Sequence, residues 1–294
     1  MKKVFISFLL ITSLIFGLTS CGNTSSQSSK PVVYASFYPI YDMAYKIGGD
    51  KVIVKTIIPP GVEPHDWEPT TKDVAEMTKA KTILYLGLGM DSWIDKIKSA
   101  APKVEYFEVS KGVTPIIQNN QINPHIWLSP KEALIIAKNI NEALQKSNPS
   151  DKKYFEKNYQ SLKDTLEKLN NQYINDLSNT KHKTFIVYHS AFNYVARDYG
   201  LNQEALVGAD EEAEASPSRI AEIINLIKKD NIKYIFTEPL TSPKPIQTIA
   251  SETGAKILPL NTIEGLTKED IKNNQDYISL IKLNLENLKK ALND

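Results

Sequence analysis

Two of the 4 histidines in this sequence lie in the same short motif. Pro-His-x-Trp occurs at residues 64–67 and again at residues 124–127. The proline fixes φ at about −65° and removes one N–H, so each histidine lies in a locally stiff loop that the tryptophan can support from behind. Neutral imidazole is a ligand for zinc, copper, nickel and iron. The repeated motif therefore predicts that His65 and His125 bind a transition metal.

A third histidine and an acidic residue also follow predicted strands. His189 comes directly after the apolar run at 184–188, and KILPLNTIEGLT offers Glu264, or Asn261, after the last predicted strand. Open α/β sheets bind ligands at the carboxyl ends of their strands. Zinc usually takes four tetrahedral ligands, so these residues complete a candidate set. His182 lies between two lysines that would repel a cation, and it is predicted to be a surface residue.

Short β-branched and aromatic runs alternate with helical segments along the chain, which predicts an α/β fold with mainly parallel sheets. Residues 151–177 contain Leu, Tyr and Ile at helical spacing, with no proline or glycine. One helix of that length extends roughly 40 Å and would join two βα lobes as a rigid backbone connector. A coiled-coil arm is the alternative. The predicted domains are a lobe at 31–148, a connecting helix at 149–180 and a second lobe at 181–294.

The start of the chain has the pattern of a bacterial lipoprotein leader. Residues 1–20 place two lysines before an apolar run that is shorter than the about 20 residues of a membrane span. The stretch LTSC resembles a lipobox, which implies cleavage before Cys21 and a diacylglycerol on its sulfur. Cys21 is the only cysteine, so a structural disulfide is excluded. Residues 21–30 are predicted to be this lipidated end and a flexible tether.

Charge composition limits the classes of partner. Loss of Lys2 and Lys3 with the leader would leave 33 basic against 34 acidic side chains. No Lys/Arg-rich run stands out, so the sequence does not indicate a nucleic-acid partner. We therefore expect the protein at the outer face of the bacterial cell membrane, attached through the lipid on Cys21.

Five segments carry a resemblance to a known family. They are SFYPIYDMAYKIGGD, PPGVEPHDWEPT, NPHIWLSP, YHSAFNYVARDYGL and IFTEPLTSPKPIQTIASETGAKILPLNTIEGLT. These segments resemble the solute-binding lipoproteins of zinc and manganese ABC importers, a family called cluster A-I, cluster 9 or TroA-like. The resemblance covers about residues 33–292. It implies two α/β lobes joined by one long helix, with the metal in the cleft between them. His65 and His125 would bind it from the first lobe, and His189 and a carboxylate from the second.

The third ligand position indicates which metal is bound. Manganese-binding relatives typically carry Glu where this chain has His189, and three nitrogens with one carboxylate favour Zn²⁺ over Mn²⁺. Some zinc relatives use Asp where this chain has Asn261, and others use Glu three residues later, so Glu264 is the predicted fourth ligand. Glu63 and Asp66 are predicted either to accept hydrogen bonds from ring N–H groups or to be solvated. Metal affinity is expected to fall below about pH 6.5, because ligation requires neutral imidazoles.

The resulting hypothesis is a high-affinity zinc-binding lipoprotein, not an enzyme, that acts as a monomer. It would deliver Zn²⁺ to an ABC permease that a cytoplasmic ATPase drives. A manganese-binding member of the same family and a surface adhesin are two alternatives. A secreted zinc hydrolase with Glu264 as general base is the third, although no H-E-x-x-H motif occurs in the sequence.

Overall fold

The computed structural model describes most of the chain, namely residues 30–65, 67–118, 120–209 and 214–294. The predicted signal peptide, Cys21 and all but the last residue of the tether lie outside these residues, and so does Asp66. Within the described ranges, no helix combines the length and the apolar character needed to cross a membrane.

The first lobe is built on a parallel sheet of four short strands. These are β1 (Val32–Ala35), β2 (Ile53–Thr56), β3 (Thr82–Tyr85) and β4 (Glu105–Glu108). They pair in the order β2-β1-β3-β4. The remaining elements are α1 (Tyr38–Gly48), α2 (Thr71–Met77), α3 (Ile94–Ala100), an antiparallel hairpin of β5 (Ile116–Gln118) and β6 (Gln121–Asn123), and α4 (Pro130–Ser147).

The second lobe repeats the βα arrangement with two parallel strand pairs. The strands are β7 (Thr184–Val187), β8 (Asn202–Ala205), β9 (Tyr234–Thr237) and β10 (Lys256–Pro259). Strand β7 pairs with β8, and β9 pairs with β10. Its helices are α6 (Asn193–Tyr199), α7 (Pro217–Asp230), α8 (Lys244–Thr253), α9 (Lys268–Lys272) and α10 (Tyr277–Asn293).

A single helix of 27 residues, α5 (Lys152–Ser178), runs between the lobes. Near its start, Asn158 donates to the carbonyl of Ile47 in α1; near its end, the Tyr173 hydroxyl donates to the carbonyl of Ile281 in α10. Its buried face consists of Phe155, Leu162, Leu166, Leu169, Tyr173 and Leu177. The apolar stripe therefore packs along the body of the protein, which is inconsistent with a projecting coiled-coil arm.

The predicted α/β class with parallel sheets and one long helix is confirmed. Four elements were not predicted, namely strands β5 and β6 of the hairpin, strand β8 and helix α9. The hairpin strands have three residues each and are mostly exposed, and β8 reads Asn-Gln-Glu-Ala, so neither shows the apolar alternation that identifies a strand. The predicted domain boundaries, 31–148, 149–180 and 181–294, stay predictions.

Candidate metal centre

Each candidate ligand lies in a loop that follows a strand. His65 comes nine residues after the end of β2, His189 two residues after β7 and Glu264 five residues after β10. His125 was expected to follow β4 through a short polar loop, but the β5–β6 hairpin intervenes and His125 follows β6. Although these positions are spread over 200 residues of sequence, the two lobes bring all four side chains together.

The four donor atoms form one compact group. The Nε2 atom of His125 lies 3.1 Å from that of His65 and 3.2 Å from that of His189. Oε1 of Glu264 lies 3.3 Å from Nε2 of His125 and 3.7 Å from Nε2 of His65. All four atoms lie within 4.8 Å of one another. Donors bound tetrahedrally to zinc at about 2.0–2.2 Å are about 3.3–3.6 Å apart, so the group has the dimensions of a zinc site.

The carboxylate of Glu264 supplies an independent test of this fit. Its Oε1 atom is buried and accepts no hydrogen bond within the described part of the chain, whereas Oε2 accepts one from the Thr262 hydroxyl at 2.8 Å. A buried carboxylate oxygen without a partner is destabilising, unless a cation occupies the space that it faces. The space that this oxygen faces is bounded by the three imidazoles, which are the complementary ligands for such a cation.

Among the four candidate ligands, His65 is the one that solvent reaches. The side chains of His125, His189 and Glu264 are fully buried, and that of His65 is 14% exposed. A cavity of about 470 Å³ opens beside His65 and is lined also by Leu88, Met90, Ile122 and other residues. An ion would therefore reach the three buried donors past His65.

The orientation of His125 is set by neighbours in both lobes. Asn123 Oδ1 accepts hydrogen bonds from the ring Nδ1 of His125, at 2.9 Å, and from its backbone N–H, at 3.1 Å. The ring centroid of Trp127 lies 5.0 Å from that of His125, as the Pro-His-x-Trp motif predicts. The indole Nε1 of Trp127 donates to the carbonyl of Thr262 at 2.8 Å, which ties the His125 loop to the loop of Glu264.

His189 is oriented by a carboxylate that sequence reasoning missed. Nδ1 of His189 hydrogen-bonds Oε2 of Glu238, and Oε1 of Glu238 accepts from the backbone N–H groups of Tyr188 and His189, both at 3.2 Å. Because the carboxylate can only accept, Nδ1 carries the proton and the lone pair of Nε2 points at the site. Glu238 directly follows β9, so the strand-end criterion that selected Glu264 could also have found it.

The two fourth-ligand candidates make different contacts. Asn261 Oδ1 accepts from the backbone N–H of Ile263 at 2.7 Å and so closes a local turn, whereas Oε1 of Glu264 lies beside the imidazole nitrogens. Ile263 has φ 56°, a left-handed conformation that is unfavourable for a β-branched residue. Such strain persists where the surroundings fix it, and here the turn directs the next residue, Glu264, into the site.

One expectation about the first loop needs correction. Trp67 does not support His65: in the described part of the chain, its ring contact is with Trp93, edge-on at 5.3 Å between centroids. Glu63 accepts a hydrogen bond from the backbone N–H of His65 at 3.0 Å, and its role toward a ring N–H stays a prediction. His182 lies outside the cluster, as predicted.

Comparison with known proteins agrees with this geometry. Residues 33–291 match the family described as ZnuA, zinc-uptake complex component A, periplasmic. This chain belongs to the ZnuA family. The high-affinity zinc uptake system protein ZnuA of Bacillus subtilis (strain 168) is 33% identical over 315 residues, which cover 99% of this chain and 99% of that protein.

Streptococcal proteins are also similar to this chain. The zinc-binding lipoprotein AdcA of Streptococcus pneumoniae (strain ATCC BAA-255 / R6) is 34% identical over 308 residues, and this chain spans 61% of its length. The crystal structure of the Zn(II)-bound ZnuA-like domain of Streptococcus pneumoniae AdcA superposes with a TM-score of 0.82 at 35% identity, covering 90% of this chain and all of that one. The laminin-binding protein of Streptococcus agalactiae, described as bifunctional with adhesin and metal transporting activity, superposes with a TM-score of 0.84 at 32% identity, with 90% and 100% covered.

The electrostatics of this ZnuA-family site differ between its three imidazoles. Burial lowers the pKa of His125 to about 3. At His65 and His189 burial also acts to lower the pKa, but a neighbouring carboxylate has the larger effect. Glu264 raises the pKa of His65 above the ordinary 6.5, and Glu238 does the same for His189. Burial raises the pKa of Glu264, but the neighbouring imidazoles outweigh it, so the carboxyl stays ionised. At neutral pH His125 therefore presents a free lone pair, whereas protons compete more strongly with a cation at His65 and His189.

Replacing Glu238 by glutamine is expected to weaken zinc binding about 10- to 100-fold, the usual effect of removing such a supporting group. If the amide oxygen keeps the two backbone N–H bonds, the amide NH₂ faces Nδ1 of His189. That favours the tautomer with the proton on Nε2, the atom aimed at the site. Competition with a chelator of known zinc affinity measures the change. Glu222→Gln, at an exposed residue of the same lobe, is the matched control, and equal affinity of the two variants would contradict the role of Glu238.

Proposed function

We propose that this chain captures Zn²⁺ outside the cytoplasm and delivers it to an ABC permease driven by a cytoplasmic ATPase. The observation that carries the proposal is the convergence of four donor atoms, three imidazole nitrogens and one carboxylate oxygen, within 4.8 Å of one another at the junction of the two lobes. His65, His125, His189 and Glu264 are the proposed ligands. The zinc-binding and zinc-uptake proteins to which the chain is similar support the same cargo.

Zinc is preferred to manganese because of the donor set. Manganese prefers oxygen ligands, and here three of the four donors are nitrogen. His189 is the deciding residue, because a carboxylate in its place would give two nitrogens and two oxygens. The Nδ1 bond to Glu238 supports this role, since it leaves Nε2 of His189 as a lone-pair donor.

A carrier role fits the site better than hydrolysis. Catalytic zinc usually keeps one position open for water, whereas four protein donors complete a tetrahedral shell. Glu264 would be the general base of a hydrolase, but its Oε1 atom lies as close to two of the imidazole nitrogens as a fellow ligand would. We therefore propose that the ion is bound and released unchanged.

Competitive titration of metal-free protein with Zn²⁺ and Mn²⁺, against a chelator of known affinity, tests the proposal. We expect one Zn²⁺ per chain and an affinity for Zn²⁺ at least about 100-fold higher than for Mn²⁺, as the nitrogen-rich donor set implies. Equal or stronger binding of Mn²⁺ would overturn the assignment of zinc as cargo. Absence of tight binding for both ions would overturn metal capture itself.

The location and the assembly state form the remaining part of the proposal. We place the protein at the outer face of the cell membrane, anchored by a lipid on Cys21, and we expect it to act as a monomer. The lipobox resemblance supports the anchor, and so does the naming of the Streptococcus pneumoniae relative as a lipoprotein. Metabolic labelling with a radioactive fatty acid, compared between the parent and Cys21→Ser, tests the anchor directly.

Adhesion is a second candidate, because the laminin-binding protein of Streptococcus agalactiae shares the fold at 32% identity over all of its length. Binding of the purified protein to immobilised laminin tests it. The Glu264→Gln variant separates the two activities: adhesion that is unchanged in this variant is independent of zinc capture.

A further inference from the structure

One end of the first-lobe sheet carries a lysine at every strand. Each of the four strands has a lysine within the two residues that precede it, and none has one within the two residues that follow it. The four residues, which we call the lysine edge, are Lys30, Lys51, Lys81 and Lys103. They are distant in sequence, so no basic run reveals them; only the parallel pairing of the strands brings them together.

The backbone pairing puts these lysines in one row. The N–H of Ile53 donates to the carbonyl of Pro31 at 2.9 Å, and that of Lys81 donates to Val32 at 2.9 Å. The N–H of Glu105 donates to the carbonyl of Lys81 at 3.0 Å. Adjacent strands lie about 4.8 Å apart, so the lysine edge spans about 15 Å in the strand order β2-β1-β3-β4.

The lysine edge is available to an external anion. Lys30, Lys81 and Lys103 are exposed, and Lys51 is half-buried with its Nζ 5.4 Å from the ring centroid of Tyr154. Across the described ranges, none of the four forms an ion pair, in contrast to Lys46, Lys79 and Lys131, each of which has a carboxylate partner.

Two carboxylates at this edge oppose the lysines only in part. Glu105 already accepts a hydrogen bond from the Ser147 hydroxyl, and Asp50 lies beside the Tyr154 hydroxyl. Lys152 and Lys153, exposed at the start of α5, add positive charge on this side, and the half-buried Asp151 directly before them offsets part of it.

We infer that the lysine edge rests on the anionic phospholipid headgroups of the membrane to which the chain is attached. Two observations select this partner. A row of cations on a flat sheet edge complements a surface of phosphates. The first strand of the fold, β1, also has its amino end at the lysine edge, so the chain that leads to β1 joins the sheet at this edge. The inference rests on the proposed anchor at Cys21, which would lie at most about 30 Å from Lys30 along an extended chain.

The consequence concerns the orientation of the tethered protein. His65 follows the carboxyl end of β2, at the opposite side of the sheet from the lysine edge. A four-residue strand spans about 13 Å, so contact of the lysine edge with headgroups keeps the entrance of the metal site at least that far from the bilayer. In this orientation the anchored protein would present the entrance to the surrounding solution for capture, and delivery to the permease would require it to turn away from the headgroups.

The test uses the mature chain with Cys21→Ser, so that no lipid masks the contribution of the lysines. Binding to vesicles that contain phosphatidylglycerol is compared with binding to phosphatidylcholine vesicles by co-sedimentation. We expect binding only to the anionic vesicles, weakening as salt is raised, and an affinity about 5-fold lower for each lysine replaced by glutamine. The variant with all four replacements should not bind measurably.

A matched variant separates the lysine edge from net charge. Lys168, Lys228, Lys229 and Lys268 are exposed on helices elsewhere, and their replacement by glutamine removes the same charge. This control should keep most of the vesicle binding. Equal loss in both variants, or equal binding of the parent chain to both kinds of vesicle, would overturn the inference. Zinc affinity should be unchanged in both variants, so a failure here is distinguishable from a failure of zinc capture.

Discussion

Glu264→Gln is expected to weaken zinc binding about 100- to 1,000-fold. Four-ligand structural zinc sites have apparent binding free energies of about 10–16 kcal/mol, so one ligand contributes on the order of 3–4 kcal/mol. A neutral amide is a poor zinc ligand, and the substitution also removes the only carboxylate among the four clustered donors. The effect should exceed that of Glu238→Gln, because Glu238 acts only through the orientation of His189.

The glutamine variant preserves the shape of the site, so the loss can be assigned to ligation. The side chain keeps its volume, and the amide oxygen can still accept from the Thr262 hydroxyl. Chelator competition gives the affinity, and thermal unfolding with and without zinc gives a second reading, since zinc stabilises only the folded state that binds it. His182→Ala is the control, because it removes a histidine outside the cluster. If Glu264→Gln binds zinc as tightly as the parent, Glu264 is not a ligand.

Three of the four candidate ligands could be recognised from sequence by one rule. His65, His189 and Glu264 lie in loops after strands that pair in parallel, and parallel sheets gather such loops at one edge. His125 follows the antiparallel β5–β6 hairpin instead, and the repeated Pro-His-x-Trp motif was the signal for it. Asn261 obeys the same rule, and local sequence does not show that its side chain closes the turn at Ile263. The choice between Asn261 and Glu264 therefore needed the family resemblance before the structure was known.

The groups that orient the imidazoles were harder to predict, because they depend on packing between separate segments. Glu238 lies 49 residues from His189, and nothing in the sequence around either residue indicates their pairing. The two Pro-His-x-Trp motifs are alike in sequence but differ in their contacts. Trp127 packs on His125 and bonds to the second lobe, whereas Trp67 packs on Trp93 within the first.

The same kind of tertiary contact holds the ligand loops of the two lobes together. Behind His125, the Tyr277 hydroxyl donates to the carbonyl of Trp127, and Asn123 donates to the carbonyl of Ser190 at 2.6 Å. Both bonds join the two lobes. Contacts that position the ligand loops reduce the ordering that binding must impose, which favours high affinity.

Zinc affinity is expected to fall by on the order of 1,000-fold between pH 7 and pH 5. Zinc and protons compete for the same imidazole nitrogens. At a pH below the pKa of an imidazole, protonation of that imidazole therefore lowers the zinc affinity by about 10-fold per pH unit. His65 and His189 have raised pKa values, so their protons already compete near neutral pH. The decline should therefore begin above the pH of about 6.5 expected from sequence. His125, with a pKa of about 3, contributes nothing over this range.

The slope of this pH profile counts the competing protons. The profile plots the logarithm of the dissociation constant against pH, measured by chelator competition and corrected for the chelator's own titration. Its slope should approach two at low pH, which corresponds to two protons displaced per zinc. A slope approaching three would show that His125 also titrates there, contrary to its complete burial. Glu238→Gln should lower the pKa of His189, because it removes the carboxylate that raises it. In that variant the slope near neutral pH should drop toward one, while the slope of the His182→Ala control stays at the parent value.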